Sequence, residues 1–138
     1  MKRYRGYAFS RPFGDFVMPV PAQNSCMREF ASRHGVSYVP PQLEHKFNNC
    51  AMQLYGSIVA SRRGDTVIMY SFEILYSLSS KARDVVMYAE SVGVRLGFVL
   101  ENAFVSNVSE FDTMASGRRL RDFLATNEYL IQLQCSDS

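Results

Sequence analysis

Tryptophan is absent from the 138-residue chain, histidine occurs twice and cysteine three times. Cys26, Cys50 and Cys135 show no paired metal-ligand spacing, and His34 and His45 stand far apart, so a metal site is not expected. An odd number of cysteines without a disulfide pattern suits a reducing cytoplasm, which is the expected location. No apolar run approaches the about 18 residues that cross a bilayer, and Met-Lys-Arg-Tyr-Arg leads into a strand pattern without the apolar stretch of a signal peptide. No membrane partner is expected. There is no Gly-x-Gly-x-x-Gly and no phosphate-loop pattern, so neither a dinucleotide nor a nucleoside triphosphate is expected, and no cofactor is implied. Internal repeats and low-complexity tracts are missing too. The formal net charge is only +2. The basic clusters Lys2-Arg3, Arg62-Arg63 and Arg118-Arg119 read as solvated surface, so nucleic acid is not an expected partner.

What is present is an ordinary globular composition, 47% apolar and 20% charged, with ten Phe and eight Tyr. The length suits one domain, residues 1–134, with a flexible tail at 135–138. A first strand is expected over 4–10, ended by Pro12. A loop punctuated by Pro12, Gly14 and Pro19 leads to a helix starting near Pro21, with Ala22, Cys26, Phe30 and Ala31 inward and Gly35 closing it. Val36–Val39 reads as a short strand stopped by Pro40-Pro41, and 42–49 as a polar surface loop. A second helix is expected over 50–63, with Ala51, Leu54, Tyr55, Ile58 and Val59 on one face. Gly64-Asp65 is a turn. Thr66–Tyr70 is an almost unbroken apolar run of strand length, the mark of a central parallel strand. The connection 71–78 has no decided structure. A helix follows over 80–92, closed by Gly93, with Ala82, Val85, Val86, Ala89 and Val92 inward. Val94–Leu100 is a strand, and a last helix is expected over 110–126, built on Phe111, Met114, Ala115, Leu120, Phe123 and Leu124. The tail 128–134 suits an edge strand, a short helix or a subunit contact.

Alternating strands and helices predict a single three-layer α/β domain with a four- to five-stranded, mainly parallel sheet and helices on both faces. Ligands of such sheets bind outside the carboxyl ends of the strands. Those ends carry Ser10 and Arg11, Tyr70 and Ser71, and Glu101 and Asn102. Gln23 and Asn24 open the first helix, and Asn49 and Cys50 the second, on the same rim, where helix N-termini favour negative groups. A guanidinium, amides, hydroxyls and one carboxylate on one rim suit a sugar or another small anion. In this reading Glu101 is the general acid or base, Arg11 holds an anionic group and Tyr70 stacks on the ligand. The same residues would also serve as the capping groups of any α/β domain. Glu101 follows an apolar strand and needs a partner, for which Arg11 is the candidate. Ser10 is a weaker catalytic candidate, since a nucleophile needs a base and no histidine lies at a strand end. Cys50, at a helix N-terminus, is either a reactive thiol or a small buried residue.

Arg-Gly-Tyr-x-x-Ser-Arg-Pro (Arg5 to Pro12), Pro-x-x-x-Gln-Asn (Pro19 to Asn24), Asn49-Cys50, Val-Ile-Met-Tyr-Ser (Val67 to Ser71) and Phe-x-x-Glu-Asn (Phe98 to Asn102) run in order over residues 3–105. In this the chain resembles the bacterial sporadic carbohydrate cluster proteins. That resemblance implies a cytoplasmic protein encoded among genes for surface polysaccharide or lipopolysaccharide assembly. Gly6-Tyr7-Ala8 and Gly64-Asp65 also resemble the catalytic domains of serine recombinases (resolvases and invertases), which implies a flavodoxin- or resolvase-like fold. DNA cleavage does not follow: Arg11 falls where the nucleophilic serine belongs, and Ile74 and Ser77 replace two arginines of the later motif. The expected function is therefore binding of a sugar, sugar nucleotide or small anionic intermediate, with isomerase, epimerase or hydrolase chemistry as an extension. The expected assembly is a homodimer or higher homo-oligomer. The alternative is a non-catalytic recombinase-like module that works through protein contacts, with Leu130–Leu133 used for self-association.

Overall fold

Alternation along the first strand decides how the sheet is covered. The computed structural model describes residues 2–13, 17–44 and 50–136, with side chains throughout except at Gln42 and residues 127–136. From β1 (Arg3–Ala8) into the residue that follows, Tyr4 and Ala8 enter one core cluster while Tyr7 and Phe9 enter another. This is the two-residue period of a strand covered on both sides. Beside β1 lie β2 (Ser37–Leu43) and β3 (Thr66–Met69), then β4 (Arg95–Phe98) and β5 (Ala103–Val105), in the order β2-β1-β3-β4-β5. The first four strands are parallel and β5 is antiparallel to β4.

Helix α1 (Val20–Arg33) covers one face, packing Met27, Phe30 and Ala31 on Tyr4, Ala8 and Ile68. The other face carries α2 (Met52–Ala60), α3 (Phe72–Tyr76), α4 (Ser80–Val92) and the first turns of α5 (Val108–Ser136). There Leu54, Ile58, Ile74, Leu75, Val85, Val86 and Phe111 bury against Tyr7, Val67, Met69, Leu96 and Phe98. The expected three-layer, mainly parallel α/β domain is the observed one. Gly93 closes α4 at φ +75°, a left-handed conformation that glycine adopts without a Cβ penalty. Gly97 has a different reason: a Cβ there would lie 3.0 Å from both Ile68 Cγ2 and the Phe104 ring.

Several boundaries differ from expectation. β1 ends at Ala8, so Ser10 and Arg11 lie beyond it. β2 continues through Pro40 and Pro41 instead of stopping there. Edge strands tolerate proline because one side of the backbone has no ladder to complete, and the β1–β2 register shifts between Arg5 and Tyr7 to admit the pair. The buried stripe of α1 is Gln23, Met27, Phe30 and Ala31, turned from the expected set, so Ala22 and Cys26 are only half-buried. α2 is shorter than 50–63, and Val59 points to solvent. Residues 72–76 form α3, and β5 was not expected at all. The last helix does not stop at 126 but runs through Ser136, so the tail is neither an edge strand nor a separate short helix. Phe111 and Ala115 are buried on its inner face, whereas Leu120, Phe123 and Leu124 are exposed.

Gly97→Ala should lower stability by about 1–3 kcal/mol, the range for overpacking a well-filled core, read as a shift of the urea midpoint without a change in slope.

Candidate functional site

β2 is added on one side of β1 and β3 on the other, and this change of side leaves a crevice at the carboxyl ends of β1 and β3. A cavity of about 240 Å³ lies there, lined by Phe13, Val17, Met18, Tyr70, Ser71 and Leu100. A row of rings, Tyr7–Phe9, Phe9–Phe13 and Phe13–Tyr70 with centroids 6.2, 6.3 and 6.2 Å apart, leads from the sheet to its mouth. Two polar clusters flank this row, and each is organised by a carboxylate at the start of a helix.

The first is built on Glu44, only 2% exposed. Helix α2 opens on Ala51, which has no capping side chain. Glu44 caps it from the end of β2: Oε1 and Oε2 accept from Gln53 N–H at 3.2 and 3.1 Å, and Oε2 accepts from Leu54 N–H at 3.2 Å. Tyr7 Oη also donates to Oε2 at 2.8 Å, and Cys50 Sγ lies 3.3 Å from Oε1. Burial first, and then the Glu44 charge, hold the Tyr7 phenol in its neutral form far above its ordinary pKa, with the Arg11 charge opposing. Arg11 donates from Nη2 to the Cys50 carbonyl at 2.8 Å and lies 4.1 Å over the Phe9 ring.

The second cluster is built on Glu101. Ser71 Oγ donates to its Oε2 at 2.8 Å, and Phe72 N–H donates to its Oε1 at 2.9 Å. The same Ser71 hydroxyl accepts from Glu73 N–H at 3.1 Å and so caps α3. The carboxylate therefore joins the β4–β5 turn to the β3–α3 junction. Its partners are this hydroxyl and this amide, in place of the expected Arg11, whose Nη2 bond goes to the α2 side.

Gln23 is fully buried; its Oε1 accepts from Phe9 N–H at 3.2 Å, and its Nε2 donates to the carbonyls of Phe9 at 2.7 Å and Met18 at 2.8 Å. It braces the crevice wall from behind rather than presenting an amide to a ligand. Asn24 accepts from Tyr38 Oη at 2.7 Å. Tyr70 and Ser71 line the crevice itself. Ser10 is half-buried, and Asn102 is an exposed turn residue at φ +49°. Asn49 and His45 lie outside the described residues. Among the described residues no cluster of metal-ligating side chains occurs, and no helix is long and apolar enough to cross a membrane.

Glu44, Phe13, Val17, Met18 and Leu100 are not among the residues expected at the site. Two signals pointed toward Glu44. A buried Tyr7 hydroxyl needs a partner, and a helix opening on Ala51 needs its cap from elsewhere.

The fold is similar to that of the N-terminal catalytic domain of TP901-1 integrase, with a TM-score of 0.56 at 18% identity, over 90% of this chain and 98% of that one. The chain thus has a resolvase-like α/β fold, and at this identity the likeness is one of fold. No protein-family model matches the chain, and no curated protein does.

Glu44→Ala should cost about 3 kcal/mol or more, because each buried donor left without its acceptor costs on the order of 1–3 kcal/mol; equilibrium urea unfolding at pH 7 measures it. A second expectation concerns alkali. Burial pushes Tyr38 up to about 12 from its ordinary 10.0. A raised folded-state value means that the contribution is fully present below the unfolded pKa and is lost as pH climbs through the folded one. Wild-type stability should therefore fall between about pH 10 and 12, and Tyr38→Phe should make that limb shallower, the raised Tyr7 phenol keeping the remainder; identical alkaline limbs would refute the assignment.

Proposed function

We propose that this protein binds a sugar, sugar nucleotide or other small anionic intermediate of surface-carbohydrate assembly in the crevice between the ends of β1 and β3. One observation carries this reading: the Phe13–Tyr70 crevice stands at the position where parallel sheets take their ligands. Its size, about 240 Å³, is just under the roughly 300–1,000 Å³ of common ligand sites, so it suits one ring with the rest of a larger ligand outside. Tyr70 offers a flat face for the apolar side of a sugar, while the buried Ser71 hydroxyl behind it is engaged with Glu101 and Glu73. The link to carbohydrate assembly is supported by the motif set from Arg5 to Asn102 alone.

Binding is favoured over chemistry at this crevice. A general acid or base must reach the reacting atom. Both oxygens of Glu101 are engaged in holding α3, and Arg11 Nη2 holds the start of α2. Isomerase, epimerase or hydrolase activity at these residues would require those bonds to be given up on substrate entry.

A second reading rests on α5. Its 29 residues extend about 43 Å, and among those whose side chains are described, up to residue 126, only the first turns are buried on the body. Leu120, Phe123 and Leu124, 56, 62 and 50% exposed, follow one another at helical spacing. A helix of this length with an uncovered apolar stripe fits pairing with the same helix of a second copy, in a module acting through protein contacts. The Leu130–Leu133 segment lies on the same helix, among residues whose side chains are not described.

Thermal-shift and calorimetric titration against sugar phosphates and sugar nucleotides should give saturable binding, weakened at least tenfold in Tyr70→Ala. A folded sample that binds none of them overturns the first reading. Sedimentation at micromolar concentrations should show a dimer for the wild type and a monomer for Leu120→Ser/Phe123→Ser. A monomeric wild type overturns the second.

A further inference from the structure

A second cavity, of about 340 Å³, opens where α3, α4 and α5 meet. It is lined by Tyr76, Ser79, Ala82, Arg83, Phe111, Asp112, Ala115 and Arg119, none of which lines the crevice between β1 and β3. Its apolar lining is Ala82 on α4 with Phe111 and Ala115 on α5, all three buried.

The polar groups around this hollow are mostly donors. Arg83 Nη1 pairs with Asp112 Oδ1 at 3.1 Å, an exposed ion pair along one wall. Arg119 is different. It has no carboxylate partner among the described residues, and its hydrogen bond is a long one, 3.5 Å, to Ser116 Oγ on its own helix. The neighbouring Arg118 is, by contrast, held by Glu73 and Asp122. Ser79 and Tyr76 add hydroxyls that have no hydrogen-bond partner in the protein among the described residues. A guanidinium free of a carboxylate and two hydroxyls thus surround an apolar floor, and the hollow is large enough for a ring-sized molecule.

We propose that this cavity binds a small organic anion, with an apolar or ring-shaped body against Phe111, Ala82 and Ala115 and its carboxylate or phosphate on Arg119. The ligand would touch α3, α4 and α5 together and so tie the root of the long helix to the body. The site is separate from the crevice and does not depend on the function proposed for it.

The test uses the full chain with four probes: phenyl phosphate, benzoate, inorganic phosphate and uncharged benzyl alcohol, each titrated by calorimetry and by ¹H–¹⁵N chemical-shift mapping. Phenyl phosphate or benzoate should bind with shifts centred on Phe111, Ala115 and Arg119, and the preferred one identifies the anionic group. Inorganic phosphate and benzyl alcohol should each bind at least tenfold more weakly. Arg119→Gln, an exposed position, should weaken the aromatic anion at least tenfold and remove its salt dependence. Ala115→Leu should fill the hollow and abolish binding while Tyr70→Ala leaves it unchanged. The proposal is overturned by no binding of either aromatic anion, by equal binding of benzyl alcohol, or by wild-type affinity in Arg119→Gln. A failure of Ala115→Leu to fold leaves that last comparison decisive.

Discussion

Glu44 accepts hydrogen bonds from a tyrosine on β1 and from two amides of α2 while almost completely buried. A carboxylate buried in that position is stable only because donors surround it, and the donors come from separate parts of the chain. The ends of β2 and β1 and the start of α2 are therefore mutually fixed. Glu101 repeats the arrangement one crossover later, where the β4–β5 turn holds the start of α3. At the rim of this sheet, carboxylates supply the negative charge that helix N-termini attract, and they supply it from within the protein.

This has a consequence for ligand recognition. In many parallel sheets the helix N-termini at the rim are left to bind a ligand's anion. Here two of them are occupied by the protein's own side chains, and the space between is lined by Phe13, Val17, Met18, Tyr70 and Leu100. The crevice suits a ring face better than a naked charge. A guanidinium with no carboxylate partner among the described residues is found instead at the junction of α4 and α5, at Arg119.

Much of the architecture was readable from residues 66–98. The apolar run Thr66–Met69 announced a strand buried on both faces, and Ala82, Val85, Val86 and Ala89 announced the inner side of α4. Both signals are periodic and local. The misreadings share the opposite character. Pro40-Pro41 ends a strand in isolation, yet at a sheet edge with a shifted register it does not. Leu120, Phe123 and Leu124 continue the apolar spacing of α5, so periodicity could not reveal that the body of the protein ends before them.

The layer architecture and the sheet type were legible along the chain, because two-residue and 3.6-residue periods record which side of each element is covered. What the polar residues near the strand ends are bonded to emerged only once the chain was folded. Gln23, Asn24 and Glu101 read equally well as ligand-binding groups or as braces until their partners are known, and the partners of Gln23 and Glu101, Phe9 and Ser71, lie 14 and 30 positions away in the chain. A hydrogen bond is satisfied by position in space, and no spacing along the chain encodes which distant donor will meet a given acceptor. For the same reason Glu44, in a segment that reads as surface loop, became the buried anchor of α2.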